Sequence, residues 1–506
     1  MINGYANKKG TALLPKAFPG MVYRPAYESG PLISQAGFGG YRIDRSVAGH
    51  DAALRAAVRG GINLIDTSAN YGDGGSETLI GQVMATEIER SGLSRASFFV
   101  VSKAGYLQGT NYASSQERKR QGRPFEDVVT VAQGLEHCIH PTFLEDQLTR
   151  SLRRLGLETL DAYLLHNPEY YLGWAARRSI DIETARAEYL RRLRLAFEHL
   201  EGEVDRGRIR CYGISSNTFP AAADDAQFTN LEALLHAARS ISRTHHLRVI
   251  QFPMNLFESG PVLESNQPSG ATLLEAARGA GLGVLVNRPL NAVSRGRLIR
   301  LAEVSAPHPS APKEIDRRID HLLASEAHLI RSLLPERNLD PRIENRLSEL
   351  IGVGAYLRRH KDGLDSLAAW DHLRTTVLEP RILGVYGTLE QMGASPPEQE
   401  WMVSHQTVVE GLFKDLTSLA AAASARSCRT VREAVREVTP DWAPLGLPLS
   451  QTAIRALRCT DGVTCILVGM RRERYVSDVL EEMARPCGTS GRQQIWRLLN
   501  RALADI

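Results

Sequence analysis

Short apolar, β-rich runs alternate with longer amphipathic stretches over most of the chain. The runs Gln35–Phe38, Ile62–Asp66, Phe98–Ser102, Leu160–Leu165, Arg210–Ile214, Arg248–Phe252, Gly283–Val286 and Thr464–Val468 predict strands. His50–Arg59, Ser76–Glu89, Thr142–Leu155, Ile182–Arg206, Leu231–Ile241, Ala271–Ala280, Ser450–Leu457 and Arg472–Met483 carry apolar residues three and four apart and predict helices. Eight such units, preceded by a hairpin-like stretch from Met21 to Ser34, predict an α/β protein with a closed (β/α)8 TIM barrel. The rival is an open doubly wound sheet. Its dinucleotide fingerprint belongs in the first strand-to-helix turn, and Gly37-Phe38-Gly39-Gly40 is not G-x-G-x-x-G.

The alternation breaks once. Residues 291–447 carry long helical patterns with almost no strand signal: Ile315, Ile319, Leu322, Leu323, Ile330 and Leu333 keep helix spacing, as do Val408, Val409, Leu412, Phe413, Leu416 and Leu419. This stretch predicts an inserted all-α subdomain after the seventh strand, with the barrel formed by 1–290 and 448–506. Pro307, Pro309 and Pro312 mark its entry and Pro440, Pro444 and Pro448 its exit, since proline ends helices and stiffens linkers. The insert leaves on a βα loop, so it is expected at the barrel's C-terminal face, as a cover for the pocket there. Gly105–His140, rich in polar residues, reads as a long loop.

Composition narrows the function classes. A chain of 506 residues with 43% apolar and 23% charged residues has enough apolar content to bury a core, which excludes wholesale disorder. The net charge of +4 and the lack of basic runs interleaved with aromatics argue against a nucleic-acid partner. No apolar run is long enough to span a bilayer and the first residues form no signal-like core, so the expectation is a cytoplasmic protein without a membrane partner. The six cysteines match no metal spacing and are expected reduced and buried. His137-Cys138-Ile139-His140 has ligand types but no second cluster, and reads as structural rather than as a metal site. Oligomeric state is not legible.

In a barrel of this kind chemistry sits at the C-terminal strand ends. Asp66 closes the second predicted strand, Tyr71 follows five residues later, Lys103 closes the third and His166 the fourth. Taken singly, each has an ordinary reading as a turn cap, packed aromatic, solvated strand end or core histidine. Together, Asn63-Leu64-Ile65-Asp66-Thr67-Ser68-Ala69-Asn70-Tyr71-Gly72-Asp73-Gly74-Gly75-Ser76-Glu77, Ser102-Lys103 and Leu164-Leu165-His166 resemble the aldo-keto reductase superfamily over residues 21–290 and 448–490. The resemblance implies a nicotinamide-dependent oxidoreductase with the catalytic tetrad Asp66, Tyr71, Lys103 and His166. Carbonyl reduction places negative charge on oxygen, so a proton donor is needed. Tyr71 suits that role, with its pKa lowered by Lys103, Asp66 holding Lys103, and His166 donating a hydrogen bond to the substrate oxygen.

The same resemblance places Ser215, Asn217 and Gln251 on the nicotinamide carboxamide. Met254 stands where it implies a stacking tyrosine, and Val479 where it implies an asparagine near adenine. Gly469, Arg471 and Arg472 lead from the last strand into a helix, a setting for a phosphate, and paired arginines favour the 2′-phosphate of NADP(H) over NAD(H). Arg288, after the seventh strand, stands equally for a contact to an acidic substrate group and for a salt bridge. The implied activity is interconversion of a small-molecule aldehyde or ketone, sugar-like or a secondary metabolite, with an alcohol. An NAD-dependent alcohol or sugar dehydrogenase, and a nicotinamide-binding sensor or accessory subunit, remain open beside it.

Overall fold

The computed structural model describes residues 1–304, 311–337, 339–487, 492–504 and 506, leaving Pro307 and Pro309 outside the described segments. Its described residues divide into Met1–Leu290 with Val438–Ala504, and Asn291–Glu437.

The first unit is a closed parallel barrel of eight strands, paired in chain order. They are β1 (Ala36–Gly39), β2 (Leu64–Asp66), β3 (Phe99–Ala104), β4 (Leu160–His166), β5 (Ile209–Ser215), β6 (Leu247–Pro253), β7 (Gly283–Asn287) and β8 (Cys465–Val468). The corresponding helices are α1 (Ala48–Arg59), α2 (Gly75–Ser91), α3 (Pro141–Leu155), α4 (Ile182–Asp205), α5 (Leu231–Ile241), α6 (Leu273–Gly279), α7 (Leu449–Arg458) and α8 (Glu473–Met483). Strand bounds move by a residue or two from the sequence expectation, which brings Lys103 and His166 inside β3 and β4. The antiparallel pair Tyr23–Pro25 and Leu32–Ser34 forms the expected hairpin.

Local chemistry explains the elements. Helix α3 begins with Pro141 at its first position and His140 accepting from the Thr142 N–H, and ends at Gly156 in the left-handed region (φ 67°). Its Phe143, Leu144, Leu148, Leu152 and Leu155 form one buried stripe. In the strands, period two sorts residues between interior and helix layer. Leu64, Phe99, Val101, Ala162, Leu164, Cys211, Val249, Leu285, Cys465 and Leu467 form the barrel's inner core. Each large side chain there contributes about 1.5–3 kcal/mol by burial. Gly213 lies in the same interior series on β5, where a Cβ would sit 1.9 Å from the Val249 carbonyl oxygen, so only glycine lets these strands approach. Lower in the barrel, Asp161 is 1% exposed and accepts from Ala6 N (2.6 Å), Val100 N (2.7 Å) and Arg95 Nη2 (2.7 Å).

Two sequence expectations need correcting in this unit. Gly105–His140 is not a plain loop: it holds a helix, Gly109–Arg120, and an antiparallel sheet of Tyr106–Leu107, Val129–Ala132 and Leu135–His137. Strands this short leave too few residues for period two to show. The cysteines are not all reduced, because Cys459 and Cys487 form a disulfide with Cα atoms 6.1 Å apart. Packing of α7 on α8, fixed by buried ion pairs of Arg455 and Arg458 with Glu482, brings the two together across a 28-residue separation that matches no motif. Cys138, Cys211, Cys428 and Cys465 are free and buried.

The second unit is helical, but it opens with a hairpin, Asn291–Ser294 against Arg297–Arg300, which the sequence did not signal. Its helices include Pro312–His328, Glu379–Gln391 and the 43-residue Pro396–Val438. Pro312, expected to mark the insert's entry, stands at the first position of the Pro312–His328 helix. Ile315, Ile319, Leu322, Val409, Leu412, Phe413 and Leu416 pack around Trp370 in one core. Ile330, in contrast, is 42% exposed. A π-helical turn over Leu329–Leu333 adds a residue to the register and buries Leu329 in its place.

No helix among the described residues is long and apolar enough to cross a membrane.

Candidate active site

The site follows from the alternation that builds the core. One inward position beyond Leu64 is Asp66; beyond Val101, Lys103; beyond Leu164, His166; beyond Gly213, Ser215; beyond Val249, Gln251; and beyond Leu285, Asn287. At the C-terminal end of the barrel, apolar layers therefore give way to a ring of polar side chains.

Lys103 is fully buried, and its ammonium is satisfied by Asp66 Oδ2 at 2.7 Å and Thr67 O at 2.8 Å, and reaches the Tyr71 hydroxyl at 3.5 Å. Gln251 Nε2 donates to the other Asp66 oxygen at 2.8 Å, while Gln251 Oε1 accepts from Ser215 Oγ at 3.1 Å. Three of the four expected tetrad residues, Asp66, Tyr71 and Lys103, and two expected cofactor contacts thus share one network. Asn287, not singled out from the sequence, joins it: Nδ2 lies 3.5 Å from Gln251 Oε1, and Oδ1 is buried without a partner.

Burial disfavours charge throughout this ring. It raises the Asp66 carboxyl against the pull of Lys103, and lowers the Lys103 ammonium against the pull of Asp66. The Tyr71 phenol is held well above its ordinary value by burial first, then by the Asp66 and Tyr41 groups. This reverses the expectation that Lys103 lowers it: the ammonium already serves Asp66 and Thr67, and desolvation dominates. The consequence is a phenol that keeps its proton at neutral pH.

His166 is also buried and held neutral, its pKa well below the ordinary value through burial and then the Lys103 charge. Its Nδ1 lies 3.1 Å from Ser68 Oγ, and that hydroxyl donates to Asn70 Oδ1 at 2.6 Å. Nδ1–H is then the donor to Ser68, and Nε2 carries the lone pair. In this arrangement Nε2 can accept a hydrogen bond but not donate one. The donor role expected from the sequence requires the other tautomer, reached by turning the Asn70 amide. Tyr106 stacks edge-on against His166 with ring centroids 4.8 Å apart, and His137 bonds the His166 carbonyl oxygen at 2.8 Å. Tyr41 meets Tyr71 edge-on at 5.2 Å. These supports have no sequence signal beyond their place after β1 and β3.

Arg288 pairs with Glu258 at 2.6 Å, which realises the salt-bridge reading. It also holds a left-handed backbone (φ 54°), as Asn167 does after His166 (φ 52°), a strain of a kind that clusters at functional sites. Met254 is fully buried. His137, Cys138 and His140 make separate hydrogen bonds, and no group of metal-ligating residues occurs among the described residues.

The cofactor residues fit a nicotinamide nucleotide at both ends. At one end, Ser215 and Gln251 and the unpartnered Asn287 Oδ1 offer amide-matching groups. At the other, a Cβ on Gly469 would meet nothing within 4 Å, Arg471 and Arg472 are exposed, and α8 has no side-chain cap on its first turn. The N–H groups of a helix start and guanidinium forks suit phosphate.

The Aldo/keto reductase family model matches residues 37–284. A D-threo-aldose 1-dehydrogenase from a Pseudomonas species is 28% identical over 190 residues, 37% of this chain and 50% of the relative. The NADH-specific methylglyoxal reductase of Escherichia coli is 31% identical over 124 residues, 24% of this chain and 32% of the relative. Among solved structures, a Gluconobacter oxydans glycerol dehydrogenase superposes with a TM-score of 0.45 at 16% identity, covering 94% of this chain and 92% of that one. A Klebsiella pneumoniae aldo/keto reductase in complex with NADP and acetate gives a TM-score of 0.43 at 15% identity, covering 94% and 95%. Barrel, site geometry and family match agree: residues 37–284 belong to the aldo-keto reductase superfamily. The chain spans about half the length, or less, of the curated relatives it matches.

Proposed function

We propose that the protein is an NADP-dependent oxidoreductase that interconverts an aldehyde or ketone with an alcohol, Tyr71 exchanging the proton. The observation that carries this reading is the buried Lys103, bonded to Asp66 and within reach of the Tyr71 hydroxyl at the barrel's C-terminal end. The cofactor, held by Ser215, Asn217, Gln251, Gly469, Arg471 and Arg472, supplies the hydride when bound. Tyr71 delivers its proton to the oxygen of the reduced carbonyl. Lys103 places a positive charge beside that phenol as it becomes phenolate, and Asp66 holds Lys103 in place. His166, neutral and beside Ser68, orients the substrate oxygen by donating from Nε2 in the tautomer that a turned Asn70 amide allows. A sugar-like or small carbonyl substrate accords with the aldose and methylglyoxal relatives. Titration with NADPH and NADH, followed by a carbonyl panel, tests the proposal. Tight binding without turnover on any substrate would favour a sensor or accessory role.

NAD dependence is the second reading, supported by the NADH-specific relative and by Glu473, an acidic residue in the first turn of α8 that opposes a phosphate. Replacing Arg471 and Arg472 together by Ala separates the two. NADPH affinity is expected to fall by about tenfold or more, because charge-assisted bonds to a phosphate are lost, with NADH affinity nearly unchanged. Equal losses for both cofactors would assign the arginines to structure.

A further inference from the structure

The chain turns sharply after His166: Asn167 takes a left-handed backbone (φ 52°), Pro168 follows, and Glu169 begins a short helix. Glu169 does not cap that helix. Its side chain turns inward and is 1% exposed, among the most enclosed carboxylates of the barrel. Oε1 accepts from Asn167 Nδ2 at 2.8 Å and from the Asn217 backbone N–H at 2.9 Å, and the Ser216 hydroxyl also stabilises the carboxylate. Asn167 is held from its other side as well, its Oδ1 accepting from the Tyr106 hydroxyl at 3.1 Å and its N–H donating to the Ser215 carbonyl at 2.7 Å.

One carboxylate therefore ties three segments: the turn after His166, the turn after Ser215 that carries Asn217, and, through Asn167, the aromatic that packs on His166. Enclosing a carboxylate is costly unless its bonds are made. The chain bears this cost at the point where the proton-transfer side of the site meets the nicotinamide side. Burial raises the Glu169 pKa, in keeping with that enclosure. We infer that Glu169 is a positioning residue, which sets Asn217 for the nicotinamide end of the cofactor through the Asn217 N–H. The inference rests on the reading of Asn217 as a carboxamide contact.

The test is a set of dissociation constants measured by fluorescence and calorimetry on the full chain, without turnover. Each of NADPH and NADH is paired with a fragment lacking nicotinamide, 2′,5′-ADP and ADP respectively, and the ratio within the pair that wild type binds is read. Glu169→Leu is expected to weaken the whole cofactor by about tenfold or more while leaving its fragment within about twofold, since the acceptor of the buried Asn167 amide and the partly buried Asn217 N–H is lost only at the nicotinamide end. Glu169→Gln keeps a carbonyl acceptor for both donors and is expected to restore most of the affinity. Glu169→Met serves in place of Leu if the branched side chain does not fold. Parallel losses of cofactor and fragment would overturn the inference in favour of general structural support. An unchanged ratio in Glu169→Leu, with a loss in Asn217→Ala, would overturn it while keeping the reading of Asn217. Unchanged ratios in both would overturn both.

Discussion

Tyr71→Phe is expected to lower kcat for carbonyl reduction by at least about 10²-fold, the usual scale of a lost general acid, with NADPH affinity nearly intact. The substitution removes one oxygen and leaves the ring, which still packs against Tyr41 and His166. It also spares the Lys103–Asp66 pair, because Lys103 keeps Asp66 and Thr67 as acceptors. The pH dependence adds a sign. The Tyr71 pKa is raised, so reduction, which needs the protonated phenol, is expected to hold across neutral and mildly alkaline pH and fall only above that value. Oxidation of the alcohol, which needs phenolate, is expected to climb with pH over the same range. Steady-state rates in both directions check this. A wild-type kcat in Tyr71→Phe, or parallel pH profiles, would remove Tyr71 from proton transfer.

Asp161→Ala carries the second large effect, on stability. The Arg95 side chain is 3% exposed and pairs with Asp161 at 2.7 Å, and the same carboxylate takes the Ala6 and Val100 N–H groups. Truncation leaves a guanidinium and two amides without that acceptor in a site closed to water. Breaking a buried pair from one side costs about 3–5 kcal/mol, a large part of a domain's usual 5–15 kcal/mol. A drop of that order is expected in the barrel's urea transition. Arg95→Met with Asp161→Leu is expected to be less damaging than Asp161→Ala alone, because it leaves no unpaired charge. A loss below about 1 kcal/mol in Asp161→Ala would show that the pair is dispensable.

The barrel was legible because each strand has a strong apolar run and each helix a stripe, as Phe99, Val101, Phe143, Leu144 and Leu148 illustrate. The tetrad was legible because polar residues stood at the ends of apolar strands, where period two points them inward. What escaped depends on partners distant in sequence. Asn287 shares the inward register of Gln251, a signal present in the strand pattern but masked by the neighbouring Arg288. Glu169 looks like any acidic residue before a helix until the turn at Asn167 folds it inward. The direction of the Tyr71 shift was also hidden, since residue types give the sign of a neighbouring charge but not the depth of burial that outweighs it. The Cys459–Cys487 pair required knowing that α7 and α8 pack together.

The central claim is hydride transfer to a carbonyl carbon in a site where Tyr71 supplies the proton. The most direct measurement uses reduced cofactor carrying deuterium at the transferring C4 position, incubated with the protein and a panel of aldoses and small aldehydes, with mass spectrometry of the products. The expected result is an alcohol bearing one deuterium on the former carbonyl carbon, formed in step with cofactor oxidation and lost in Tyr71→Phe. Bound cofactor that stays reduced across the panel, or an alcohol without the label, would contradict the account.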